Sequence, residues 1–383
     1  MAGRFLSSGA ASTTLALVSL LACDEPGDPE PASGVSCGLV EQVALPGPGE
    51  VIAVDRAGGV HVASSSRYWV RAAGADFAEQ DLSFGEPYAA DPHLMAWGDE
   101  IVVAHAGDGV RVARGSAAAW TTMFWRPAVQ CSGNPYIDQA EISADGTVIL
   151  ESSEGLHRVR EGAELEPLPR ADHWAVDGAG LLAVSTGETL TLTDAGGETI
   201  LQQAFDRVPH IAVAPDGRAL VLLEKHDDPR VWQLHRTADG VWASQATELL
   251  SWSESPCPDD PAIGTRCQGS SAFVQAAKIF PTADSFTVLI ALDRNLSDVT
   301  YACHPTAGGF GGCYVGWAGD YRSEHEIFLV DATATAPAVT RILENLVEED
   351  GQPFNVDAAQ SETGDVHVVA GSTYAHFGCS AAD

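Results

Sequence analysis

Lysine is almost missing from this chain: Lys225 and Lys278 are its only two in 383 residues. Bases of both kinds number 20 against 53 acids, a formal net charge of −33. A surface of that sign repels phosphate backbones and anionic headgroups, which argues against nucleic acid as a partner. Solvation explains most of such charge, and attraction of cations, Ca²⁺ included, is its functional reading. Long apolar runs are missing as well, none reaching the length that spans a bilayer. No segment carries a sustained helical stripe with caps. Several catalytic signatures are also absent. There is no G-x-S-x-G elbow, and His325-Glu326-Ile327-Phe328-Leu329 falls one residue short of HExxH inside an alternating strand. The Gly-rich "TAGGFGGCYVGWAGDY" has no Walker pattern and no helix after it, so it reads as a loop bounded by Cys303 and Cys313. Asp227-Asp228 and Asp259-Asp260 lack an EF-hand-like loop and read as solvated. What remains is globular: 45% apolar, with Gly 38 and Pro 21 pointing to many turns.

The first residues, "MAGRFLSSGAASTTLALVSLLACDEPGDPEP", begin with a basic Arg4 and continue into a short apolar stretch from Leu15 to Leu21. Leu20-Leu21-Ala22-Cys23 resembles the lipobox of bacterial lipoproteins, although Leu21 stands where a small residue is usual. The resemblance implies a signal peptide over 1–22, cleavage before Cys23, and diacylglycerol on its sulfur. The other reading is an ordinary secretory signal with an incidental cysteine. Residues 23–36, rich in Pro, Gly and acids, form a flexible tether. Residues 37–383 are then a soluble body, exported and held to the cell envelope by lipid. Asp24 resembles the inner-membrane retention residue of enteric lipoproteins, a rule that varies between bacteria.

Cysteine usage agrees with export. Cys257 with Cys267 and Cys303 with Cys313 are pairs ten residues apart, spaced for local disulfides in an oxidising compartment. Neither has CxxC spacing, so zinc and redox readings are weak. Three more remain beside Cys23. Joining Cys37 to Cys379 would tie the chain ends and leave Cys131 over.

A phrase recurs along the body. "VIAVDRAGGVHVA", "HLMAWGDEIVVAH", "QAEISADGTVILE", "HWAVDGAGLLAVS", "PHIAVAPDGRALVLL", "KIFPTADSFTVLIAL" and "DAAQSETGDVHVVAG" each run strand, turn, strand. Gly and Asp accept the positive φ that such turns demand. With Gly58, Gly98, Gly146, Gly180, Gly217, Ser285 and Gly364 as anchors, the spacings are 40, 48, 34, 37, 68 and 79. A four-stranded unit at that period is the signature of an all-β propeller, and the two long steps hold either the cysteine-bracketed insertions or a worn repeat. Seven anchors point to seven blades, with six or eight the alternatives. The copies resemble NHL-type and TolB-type propeller repeats, and "SADGT" resembles part of a sialidase Asp-box without its terminal Trp. That likeness implies the fold and carries no activity.

Aligned on their turns, the copies place Val51, His93, Gln139, His173, His210, Lys278 and about Asp357 at the head of the first strand. In a propeller those heads surround one mouth of the central channel. His93, His173 and His210 would then hold a divalent metal (Zn, Mn or Ca), as the resemblance to propeller lyases implies. The bland alternative is three junction residues bonded to backbone or water. The tryptophans, Trp69, Trp97, Trp125, Trp174, Trp232 and Trp242 among them, read as packing between blades. Two functions follow. The first is a lipid-anchored binding module for an envelope protein, glycan or small ligand. The alternative is a metal-dependent lyase or hydrolase, with Gln139 or Lys278 assisting.

Overall fold

A computed structural model describes residues 35–64, 67–80, 90–107, 109–116, 119–127, 136–204, 210–213, 219–224, 231–238, 241–242, 247–251, 260–281, 286–305, 313–331, 338–346 and 355–381. Cys23, Cys131, Cys257, Asp227, Asp228, Asp259 and the turn anchors Gly217 and Ser285 lie outside them, as do the side chains of His210, Trp232, Trp242 and Cys313.

Five hairpins show why the repeated phrase folds as it does. Asp55, Ser143, Asp177, Asp194 and Ser361 each open a five-residue turn whose fourth residue is glycine. In each, the glycine N–H bonds back to the first residue's carbonyl, and the first residue's N–H bonds to the carbonyl of the fifth. That is a type I turn followed by a residue in the left-handed region, where glycine alone escapes the Cβ penalty. Gly58, Gly146, Gly180, Gly197 and Gly364 accordingly have φ of 78°, 81°, 83°, 85° and 90°. The leading Asp or Ser side chain braces the loop: Asp55 Oδ1 accepts from Gly59 N at 2.8 Å, and Asp177 Oδ1 from Leu181 N at 2.6 Å.

Among the described residues the strands form seven antiparallel sheets, six of four strands and one of five. Their first strands in chain order are Val51–Val54, Ala90–Trp97, Ile137–Ile142, His173–Val176, His210–Val213, Arg266–Pro281 and Val356–Gln360. Each first strand contacts the first strand of the next sheet, and the seventh contacts the first. The sheets are therefore arranged radially around an axis, and the fold is a β-propeller.

Packing follows from that geometry. A radial sheet has a neighbour on both faces, so its strands read as continuous apolar runs rather than clean alternation. In the second sheet, Ile101 and Val103 pack with Ala53, Ala63 and Tyr68 of the first. Val102 and Ala104, one residue out of phase, pack with Ile137, Val148 and Leu150 of the third. One stretch thus serves two cores, and removing a fully buried side chain such as Leu150 would cost about 2–5 kcal/mol.

The ring closes through both chain ends. Val35–Ala44 pairs antiparallel with Thr373–Ala381 and supplies the outermost strand of the seventh sheet. Cys37 faces Cys379 in that register and is disulfide-bonded to it across 342 residues of sequence. Beside this seam Arg71 of the first sheet donates to Glu41 at 2.7 Å and lies over the Phe77 and Tyr374 rings. Cys267 and Cys303 each take part in a further disulfide.

The sixth sheet is built of long strands, Arg266–Pro281, Phe286–Pro305 and Cys313–Asp331, of 16, 20 and 19 residues. Cys267, Cys303 and Cys313 stand near the ends of these strands, and residues 306–312 between Cys303 and Cys313 lie outside the described residues. Part of the Gly-rich stretch is strand as well, since Gly316 and Gly319 pair with Ala302 and Val299.

Candidate ligand cavity

The seven first strands enclose a cavity of about 730 Å³ on the axis. Each of these strands ends its sheet, so its outer row of N–H and C=O groups has no further strand to pair with. Polar side chains on the neighbouring first strand supply the missing partners. His93 Nε2 donates to the Ile137 carbonyl at 2.9 Å. Gln139 Nε2 donates to the Trp174 carbonyl at 3.3 Å and to Glu141 Oε1 at 2.9 Å. Glu141 Oε2 accepts from Val176 N at 2.8 Å, and Asp357 Oδ2 from Ile52 N at 3.0 Å. Apart from the Gln139–Glu141 bond, which lies within one strand, each of these bonds ties one sheet to the next.

Lys278 stands out in this lining. Its ammonium donates to Asp357 Oδ1 at 2.9 Å, yet its side chain remains 49% exposed. That exposure faces the cavity, because Lys278 is one of the lining residues. The Asp357 carboxylate, opposed by burial and helped by Glu141, holds the Lys278 pKa above its ordinary value. Glu141 goes the other way for a carboxylate. Burial raises its pKa against the lowering by Val176 N–H, Lys278 and Gln139. The cavity thus holds an ammonium favoured in its charged form beside the Asp357 carboxyl group, and a second carboxyl group, Glu141, that burial biases toward its neutral form.

The head-of-strand residues predicted from the repeat do converge here. Val51, His93, Gln139, His173, Lys278 and Asp357 all line the cavity, together with Ile211 beside His210. His93, however, has its Nε2 on a backbone carbonyl, and His173 is exposed at its end of the strand. Among the described residues no three His, Cys, Asp or Glu are grouped to hold a metal. Glu141 was not among the predicted residues, though a signal for it existed. It sits five residues before its turn glycine, where four of the other six copies carry Ala53, Ala175, Ala212 and Ala359 and the remaining two carry His93 and Phe280. A glutamate where most copies carry alanine marks a site where one copy departs from packing.

A second polar arrangement also escaped the repeat reading. His61 Nδ1 lies 2.6 Å from Tyr68 Oη and its Nε2 3.0 Å from Asp55 Oδ2. The neutral tautomer with Nε2–H donating to Asp55 and Nδ1 accepting from Tyr68 satisfies both contacts. Burial lowers the His61 pKa against the pull of Asp55. His367 and Tyr374 repeat the pair at 2.8 Å in the seventh sheet. Both follow the same spacing, "HVASSSRY" and "HVVAGSTY". Trp69 and Trp174 are buried between sheets, and the Trp97 indole donates to the Ala144 carbonyl at 2.9 Å.

No protein-family model matches this chain, and no curated protein matches it. Solved structures do. The N-terminal domain of Nup159 is similar over 91% of this chain and 97% of its own, at 10% identity and a TM-score of 0.53. A chain from the S. cerevisiae complex of Dbp5 with Nup159, Gle1, IP6 and ADP is similar over 91% and 96%, at 10% identity and 0.50. At that identity the likeness concerns the fold, and it agrees with the radial sheets described above.

Proposed function

We propose that this chain is a lipid-anchored β-propeller of the bacterial cell envelope that acts as a binding module, with the axial cavity as its ligand seat. The seven sheets are read as seven blades, residues 1–22 as a lipoprotein signal, and Cys23 as the acylated residue on a tether running to residue 36. The observation that carries the binding reading is Lys278: a fixed ammonium, half exposed, in a cavity within the size range of small-molecule sites. Partners in this reading are the membrane, through the lipid, and an envelope protein, glycan or small ligand in the cavity.

A metal-dependent lyase or hydrolase is the competing function, and one experiment separates them. The full chain, purified without chelators, is assayed for bound Zn, Mn and Ca beside a His93→Ala/His173→Ala/His210→Ala variant. The binding-module reading expects a folded variant whose metal content equals the parent's. Stoichiometric metal in the parent that disappears from the variant would overturn it in favour of the enzyme. Anchoring has a separate readout: Cys23→Ser is expected to abolish acyl labelling and membrane retention.

A further inference from the structure

The cavity's hydrogen-bonding groups are unequally committed. An ammonium has three N–H donors, and Asp357 is the one hydrogen-bonding partner of Lys278 among the described residues. The two Glu141 oxygens each accept one bond and retain a second lone pair, as does Asp357 Oδ2. Donors and acceptors therefore line one cavity, Lys278 and Asp357 from the sixth and seventh sheets and Glu141 from the third, with both carboxyl groups oriented by the backbone N–H groups they accept from. Little reorganisation is needed when a ligand arrives.

The charges decide what kind of ligand. An anion drawn to Lys278 also meets Asp357, which already neutralises the ammonium, and Glu141. A cation drawn to the carboxylates meets Lys278. Either leaves one charge facing its own sign in a confined, partly desolvated space. A hydroxyl both donates and accepts, and brings no charge. Building on the binding-module reading, we propose that the cavity takes a small, uncharged, polyhydroxylated ligand, a neutral saccharide, held between Lys278, Asp357 and Glu141.

The scarcity of lysine makes this testable on the unmodified full chain. Lys225 and Lys278 are the only targets of an amine-acylating reagent besides the N-terminus, so Lys225 serves as internal control. Acylation at each is followed by mass spectrometry with maltose, sucrose, N-acetylglucosamine or myo-inositol as neutral probes. Glucuronate and glucosamine serve as the charged counterparts. The proposal expects a neutral probe to slow labelling of Lys278 while Lys225 is unchanged. Affinity for that probe, measured by calorimetry, should fall about tenfold or more in Lys278→Met, the loss of a charge-assisted hydrogen bond. Should Lys278→Met fail to fold, Glu141→Gln removes the carboxyl group, while its one carbonyl oxygen keeps the bond from Val176 N and its NH2 gives up the bond from Gln139. That variant should retain the neutral probe and newly admit glucuronate. Protection by glucuronate or glucosamine in the parent, stronger than by any neutral probe, overturns the ligand class and leaves the module standing. No protection by any probe overturns both.

Discussion

The Cys37–Cys379 bridge offers the most direct test of how the ring is held. It joins residues 342 apart, so almost the whole body is the closed loop. The chain-entropy treatment takes the denatured-state entropy removed as about 2.1 cal/mol/K plus 1.5R times the logarithm of loop length, which gives roughly 6 kcal/mol at 25 °C for a loop of this size. Residual structure in the denatured chain reduces that figure, and bridges removed from native proteins typically cost about 2–5 kcal/mol. The double variant Cys37→Ser/Cys379→Ser should still close, because Val35–Ala44 keeps its register against Thr373–Ala381. Its guanidinium midpoint, followed by fluorescence of the buried Trp69 and Trp174, should fall by the equivalent of about 3 kcal/mol or more. Because the effect resides in the denatured state, the slope m should rise as that state expands. A double variant within about 1 kcal/mol of the parent, with m unchanged, would refute the reasoning and assign closure to strand pairing alone.

Two further outcomes are expected. Burial, with His376 stacked on it at 4.4 Å and Arg71 nearby, lowers the His367 pKa to about 4 against the partial compensation of Asp365. A histidine depressed from 6.5 gives stability that is full above pH 6.5 and lost as pH falls toward 4. The loss approaches roughly 3 kcal/mol at the acid end, and His61 adds in the same direction. Denaturation midpoints between pH 7 and 4 check this, and a His367→Gln variant whose acid slope equals the parent's would contradict it. Gly146→Ala should destabilise more than Gly364→Ala. Both sit at positive φ, costing about 1–2 kcal/mol, but only at Gly146 would the new Cβ meet an atom, Trp97 Cζ2 at 2.7 Å. Equal thermal shifts for the two would show that the indole moves aside freely.

Much of the architecture was legible because turn chemistry is local. An Asp or Ser followed three residues later by glycine can be read without knowing what packs above it, and those turns fall where the phrase predicts. The head-of-strand alignment was legible for the same reason, since a fixed distance from a fixed turn fixes height along the axis. Side-chain direction was not. Within the predicted histidine cluster His93 reaches sideways to the Ile137 carbonyl, and the side chain of His210 lies outside the described residues. Nor could the repeat foresee the sixth sheet. Its long strands pair through nineteen residues of Phe286–Pro305 and Cys313–Asp331, a length set by partner strands rather than by any turn signal. The ring seam was half legible: cysteine position suggested the bridge, but Arg71–Glu41 and His367–Tyr374 depend on contacts between the first and last sheets.

The edge problem explains why Lys278 outranks the three histidines as the residue to watch. In each sheet the first strand turns an unpaired row of backbone groups toward the axis, and each buried group left unsatisfied costs about 1–3 kcal/mol. A polar residue at a head position is therefore engaged first by its neighbour's backbone. Only capacity left after that is available to a ligand. His93 Nε2 is committed to Ile137, and Gln139 spends its amide on Trp174 and Glu141. Glu141 and Asp357 each fasten one backbone N–H. Among the described residues Lys278 fastens none: its bond is to Asp357, a carboxylate already anchored on Ile52, and it lines the cavity. The ammonium is thus positioned by the capping system without being consumed by it. A chain that keeps only two lysines and sets one of them here has its most available donor at the centre of the ring.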